Sequence, residues 1–144
     1  DRCDHLYARA EEIYNKSLKE HVDADEVFVP GSSEKINDLR DFYHYLYYTV
    51  FYAARYTLVF AGEFDISQHR EIIKALKSFC ADDTSPDKLV EVGDLVITHI
   101  KQLESKRNNA DYIFNEHIIS KLSNTVDLKE DFENVGKIFT RCEF

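Results

Sequence analysis

The sequence of 144 residues contains only four glycines and two prolines, the residue types that most often form tight turns and end helices. This scarcity argues against a fold rich in turns and favours long helices. Cysteine is also rare: Cys3, Cys80 and Cys142 are odd in number and widely spaced. That spacing fits neither a disulfide framework nor a zinc site, so we expect three reduced thiols.

The sequence begins Asp1-Arg2-Cys3, without the basic and apolar leader of a secreted protein. We therefore expect no signal peptide and a cytoplasmic location. The formal net charge of −9 gives no general attraction to nucleic acid, although a local basic patch is compatible with it. The length predicts one domain over residues 1–144, large enough to bury a core.

The stretch of residues 34–61 predicts one long central helix, which is apolar nearly all round from residue 45 to residue 61. Apolar residues recur there at alternating steps of three and four, the spacing of one helical stripe: Ile36, Leu39, Tyr43, Leu46, Val50, Ala53 and Thr57. Arg55 is the only charge between residues 45 and 61. The apolar run of residues 45–61 is slightly short of the roughly 20 residues that cross a bilayer, and it contains an arginine. Both features argue against a membrane span.

A helix that is apolar nearly all round must be covered by other helices or by a second subunit. Four large side chains of this stretch point in too many directions for one small bundle to cover them: Tyr43, Tyr47, Phe51 and Phe60. We therefore predict a homodimer, since large exposed apolar patches usually mark an interface.

Shorter amphipathic patterns predict further helices over residues 1–20, 67–80 and 127–141, and another that starts at 85. The helix that starts at residue 85 either ends at residues 107–109 or continues to residue 121. Ser67 and Ser85 are predicted N-caps, and Gly62 is a predicted C-terminal cap. The predicted fold is all-α, an antiparallel bundle of four to five helices around a long central apolar helix.

Motifs of common enzyme and metal sites are scarce. A di-metal bundle needs Glu-x-x-His pairs, and the nearest pattern is the isolated pair of Asp41 and His44, which we interpret as structural or surface residues. We expect no metal and no cofactor. His99, on the apolar face of the fourth predicted helix, is expected to be a satisfied core histidine.

Two features are candidates for a site. Arg55 lies among aromatic residues and needs a carboxylate or a ring as partner, because an unpaired buried charge costs several kcal/mol. It either orients two helices or lies at the floor of a cleft. The second candidate is the polar segment 106–112, KRNNADY, which is either a charged helix end or a functional site.

The order of these features resembles the HEPN superfamily, the higher eukaryotes and prokaryotes nucleotide-binding domain, in its short stand-alone prokaryotic branch. The matching stretches are residues 47–55 (YYTVFYAAR), 67–69 (SQH) and 107–112 (RNNADY). The resemblance implies an all-α, usually dimeric protein. Many members are RNases, often toxins paired with a nucleotidyltransferase antitoxin.

The family motif is an arginine, a polar residue and then a histidine after four to six intervening positions. Arg107 and Asn108 match its first part, whereas Tyr112 stands where the histidine would be, and His117 is farther away. The resemblance also retains Arg55 and Asp111, which makes Asp111 the predicted partner of Arg55.

Two functions follow from the resemblance. The first is a binding or regulatory module that recognises a nucleotide, RNA or a partner protein, with Arg55, His69 and Asp111 in the binding site. The second is a metal-independent RNase. There Arg107 would stabilise phosphate charge, Asn108 would position the phosphate, and His69 or Tyr112 would replace the missing base.

Overall fold

The computed structural model describes residues 2–20, 33–111 and 125–142, including the side chains of 2–20, 37–109 and 128–142. Its elements are α1 (Arg2–Ile13), a π-helical segment (Tyr14–Leu18), α2 (Ser33–Phe60), α3 (His69–Ala81), α4 (Asp87–Asp111) and α5 (Thr125–Arg141). The prediction of an all-α helical bundle is confirmed.

Helix α2 contacts α1, α3, α4 and α5. Among its side chains that the structure describes, twelve are buried: Leu39, Phe42, Tyr43, Leu46, Tyr47, Thr49, Val50, Phe51, Ala53, Ala54, Thr57 and Leu58. Burying one large apolar side chain contributes about 1.5–3 kcal/mol, so α2 is a major source of the folding free energy. It also gives α3 and α4 a common surface on which to place polar groups.

The predicted homodimer rested on four side chains that one chain was not expected to cover. Tyr43, Tyr47 and Phe51 are in fact buried within the chain, because α2 has neighbours on several sides. Only Phe60 remains exposed, with 64% of its surface accessible. None of the helices within the described ranges is long and apolar enough to cross a membrane.

The helix ends follow the sequence signals in part. Gly62 has a φ of 89°, and the amides of Gly62 and Glu63 donate to the carbonyls of Val59 and Leu58. This is a Schellman cap, as the glycine predicts. By contrast, α3 begins at His69, and the residue before it, Gln68, makes no side-chain capping bond. The prediction that Ser67 is the N-cap was wrong.

The hydroxyl of Ser85 is used by the neighbouring helix. It donates to the carbonyl of Phe79 near the end of α3, at 2.7 Å, while α4 begins at Asp87. The bond ties the start of α4 to the end of α3. At its other end α4 extends to Asp111, so the segment from Arg107 to Asn109 lies within the helix and does not close it.

Candidate phosphate-binding cluster

Arg107 lies near the end of α4 and reaches across to α2. Its guanidinium carbon is 4.8 Å from the centroid of the Tyr47 ring and 5.4 Å from that of Tyr48. Nη1 donates to the Tyr48 hydroxyl at 2.8 Å, and Nη2 donates to Oδ1 of Asn108 at 3.0 Å. Two rings and two hydrogen bonds therefore fix the orientation of the guanidinium.

The Arg107 guanidinium is nevertheless incompletely paired. Its Nε–H is buried and meets no hydrogen-bond acceptor among the residues whose side chains are described. A buried donor left in this way costs about 1–3 kcal/mol. No carboxylate of the described side chains forms an ion pair with Arg107 either. The charge is held in place by aromatic rings, and because Arg107 is only half-buried, part of its side chain is accessible to an anion.

His69 opens α3 and lies against the same rings. Its Nδ1 is hydrogen-bonded to the hydroxyl of Tyr47, and its ring centroid is 4.3 Å from that of Phe51. The Tyr47 side chain is fully buried, and burial raises the pKa of its phenol well above the ordinary value. The phenol therefore keeps its proton. Because Nδ1 of His69 is its only hydrogen-bond partner among the described residues, the buried O–H is satisfied only as a donor to Nδ1.

This hydrogen bond decides which nitrogen of His69 carries hydrogen. Burial, the largest cause, lowers the pKa of His69; Glu104 opposes that shift and Arg107 adds to it. The imidazole is therefore neutral at pH 7, with Nδ1 as acceptor and the hydrogen on Nε2. In this state His69 presents an N–H donor next to Arg107, which suits an anion.

His44, which the sequence indicated to be a structural or surface residue, also contacts the cluster. It is exposed, and its ring centroid is 4.7 Å from that of Tyr48. Tyr48 thus contacts both His44 and Arg107. The available signal was the spacing of four residues between His44 and Tyr48, which puts both on one face of α2. The contact between Tyr48 and Arg107 joins two helices and has no such local signal.

Arg55 is paired as predicted, but with a different carboxylate. Its Nε and Nη2 donate to the two oxygens of Asp65 at 3.0 and 2.8 Å. Its guanidinium carbon is also 5.3 Å from the centroid of Tyr52. Asp65 lies in the connection between α2 and α3, ten residues along the chain, so this pair is local. The side chain of Asp111, the predicted partner, lies outside the described residues.

The structure therefore brings together Arg107, Asn108 and His69 among the predicted site residues. Arg55 lies nearby, 5.9 Å from the ring of Phe51 that contacts His69. The side chain of Asp111 and the whole of Tyr112 lie outside the described residues. The predicted roles of those two residues thus remain predictions.

Within the described ranges, no group of three or more histidine, cysteine, aspartate or glutamate side chains is arranged to hold a metal ion. The three cysteines are free thiols. Comparison of the chain with protein-family models, with curated proteins and with solved structures gives no match. Any function must therefore be argued from the cluster itself and from the motifs of the sequence.

Proposed function

We propose that this protein is a HEPN-like binding module whose Arg107 cluster recognises a phosphate group of a nucleotide or RNA, without efficient catalysis. The observation that carries the proposal is the guanidinium of Arg107, held on the rings of Tyr47 and Tyr48 with no carboxylate partner among the described side chains. Arginine presents a planar fork of donors that matches phosphate geometry.

The neighbouring groups supply further donors. Asn108 is exposed and adjacent to the fork, and its amide can turn its NH₂ group towards a ligand. His69 offers Nε2–H, since Nδ1 is occupied by Tyr47. Charge-assisted hydrogen bonds from a fixed guanidinium are about twice as strong as neutral ones, so Arg107 is expected to contribute most of the affinity.

The same geometry explains why binding is favoured over cleavage. An RNase without metal needs a base that takes the proton of the 2′-hydroxyl. In neutral His69, the lone pair of Nδ1 accepts a hydrogen bond from the Tyr47 phenol, and Nε2 already carries a hydrogen atom. Neither nitrogen is then free to take a proton. General acid–base assistance is typically worth about 10²–10⁴-fold in rate, so its loss leaves a weak enzyme at best.

The test is a calorimetric titration of the protein with a short single-stranded RNA and with uridine 3′-monophosphate. Arg107→Ala is expected to abolish measurable binding of the monophosphate, and Arg107→Lys to retain only part of it, because lysine lacks the fork. Arg9→Ala, an exposed position on α1, is the matched control and should bind as the parent does. Equal affinities of the parent and Arg107→Ala would refute the proposal.

The alternative, a metal-independent RNase, is favoured by one observation: a histidine, His69, lies beside Arg107 on the same aromatic rings. Its test is cleavage of a fluorogenic single-stranded RNA with EDTA present. The RNase alternative predicts cutting by the parent and by His5→Gln, a histidine exposed on α1, and its loss in His69→Gln and Arg107→Ala. Our proposal predicts no more cutting by the parent than by Arg107→Ala.

The homodimer remains part of the proposal. Its support is now the exposed apolar group at the end of α2 and just beyond it, where Val59, Phe60 and Phe64 are 46%, 64% and 90% accessible. Light scattering at micromolar concentration should give twice the chain mass of 16.9 kDa, and Phe60→Ser combined with Phe64→Ser should give the monomer. A monomeric parent would refute dimerisation.

The nucleotidyltransferase antitoxin and the cytoplasmic location remain predictions from the sequence.

A further inference from the structure

A cleft of about 490 Å³ lies between α3 and α4, next to the Arg107 cluster. His69 forms one part of its lining and so belongs to both. The other charged groups of the lining are four cations and one carboxylate: Arg70, Lys74, Lys77, Lys101 and Glu104. In a chain with a formal net charge of −9, this local excess of positive charge runs against the overall balance.

The cations of α3 form a regular stripe. Arg70, Lys74 and Lys77 follow one another at steps of four and three, which places them on one face of the helix. Their span along the axis is about 10 Å at roughly 1.5 Å per residue. The opposite face carries Ile72 and Leu76, both buried, so the stripe lies on the exposed side of α3, where its three cations line the cleft.

A cationic stripe is not needed for the stability of α3. Like charges at these spacings disfavour the helix by about 0.2–0.5 kcal/mol per pair. None of the cleft's four cations forms an ion pair with a carboxylate within the described part of the chain. All four are exposed, and are thus available to an external anion.

An aromatic surface continues from the other side of Arg107. Tyr48, Tyr52 and Tyr56 follow at steps of four along α2, with successive ring centroids 6.5 and 6.2 Å apart. All three are half-buried, and the guanidinium carbons of Arg2 and Arg55 lie 5.1 and 5.3 Å from the centroid of the Tyr52 ring. A positively charged groove beside aromatic rings is the usual arrangement in proteins that bind single-stranded nucleic acid, where rings stack on bases. An acidic peptide would use the cations but not the rings.

We infer that the cleft between α3 and α4 binds the phosphodiester backbone of a single-stranded RNA, which continues past Arg107 towards the tyrosines of α2. The inference rests on the proposed phosphate site at Arg107 and extends it to a polymeric ligand. It predicts that affinity grows with strand length, because added phosphates reach Arg70, Lys74 and Lys77.

The experiment compares hexauridylate with uridine 3′-monophosphate on three proteins: the parent, a Lys74→Gln, Lys77→Gln double variant and a Lys16→Gln, Lys19→Gln control. The control pair is exposed and lies within or next to the π-helical segment, so both double variants lose the same charge. The cleft variant should bind hexauridylate more weakly, on the order of tenfold at about 0.1 M salt, with a salt slope reduced by about 0.7 per lysine. Its binding of the monophosphate should stay close to that of the parent.

Three outcomes would overturn the inference. The first is a parent that binds hexauridylate no more tightly than the monophosphate, and the second is an equal loss of hexauridylate affinity in the two double variants. The third is displacement of the RNA by hexaglutamate at equal concentration, which would assign the cleft to an acidic peptide. Failure of the proposed function is measured separately, as unchanged monophosphate binding by Arg107→Ala.

Discussion

The hydroxyl of Tyr47 and Nδ1 of His69 are hydrogen-bonded across the junction of α2 and α3. The phenol is fully buried and keeps its proton. Nδ1 is its only hydrogen-bond partner among the described residues, so the phenol acts as the donor and sets the tautomer of the imidazole beside Arg107. A residue of the core thus determines what the histidine of the site offers to a ligand, an N–H group and no lone pair.

The substitution Tyr47→Phe should remove the hydrogen bond that fixes the tautomer of His69. Without the phenol, Nδ1 loses its donor, and the hydrogen of neutral His69 should distribute over both nitrogens. Nitrogen NMR of the imidazole should show hydrogen on Nε2 in the parent and a mixture in the variant, with weaker binding of uridine 3′-monophosphate. Tyr45→Phe is the matched control on α2 and should change neither. An unaltered tautomer in Tyr47→Phe would contradict the assigned direction of the hydrogen bond.

The pH dependence of stability should report the same residue. Burial lowers the pKa of folded His69 below the ordinary value of 6.5, so the unfolded chain binds more protons as the pH falls through that value. The stabilising contribution of neutral His69 is complete above pH 6.5 and is lost as the pH falls towards the folded pKa. Urea unfolding at several pH values between 7.5 and 5 should show a smaller decrease for His69→Gln than for the parent. Parallel curves would contradict the lowered pKa.

Lys106, next to Arg107 in α4, forms an ion pair with α5. Its Nζ is 2.6 Å from Oδ2 of Asp131 on α5, which also accepts the hydroxyl of Tyr43 at 2.9 Å. Lys106→Met would leave a buried carboxylate without its cation and should cost about 3 kcal/mol in the free energy of unfolding. Lys101→Met, an exposed position of α4, should change it by less than about 0.5 kcal/mol. Equal stabilities of the two variants would show that the pair is unimportant.

The features of the fold that sequence predicted are local. The apolar spacing of residues 34–61 specifies α2, and Gly62 specifies its end, because both depend on neighbours a few positions away. The predicted N-cap Ser85 lies two positions before the first residue of α4, Asp87, and its hydroxyl donates to Phe79, a partner on another helix. Single-sequence patterns carry little information on contacts of that kind.

The site was predictable to the same extent. The resemblance to HEPN proteins selected Arg107, Asn108 and His69, and the structure brings these three together. It did not indicate that Tyr47 and Tyr48 support them, or that Arg55 pairs with Asp65, since these contacts depend on how helices and connections pack. The cationic stripe of α3 was visible in the sequence, but its position beside the Arg107 cluster required the fold.

We propose that Arg107 holds a phosphate group, and NMR can observe its guanidinium directly. Protein labelled with nitrogen-15 is titrated with uridine 3′-monophosphate, and the Nε–H resonances of the arginines are followed by NMR. Our account predicts a saturable shift of the Arg107 resonance, together with that of Nε2–H of His69. The resonance of Arg141, whose Nε already contacts Glu91 at 3.2 Å, should stay in place. Saturable shifts of other resonances, with the Arg107 resonance unmoved, would contradict a phosphate site at Arg107.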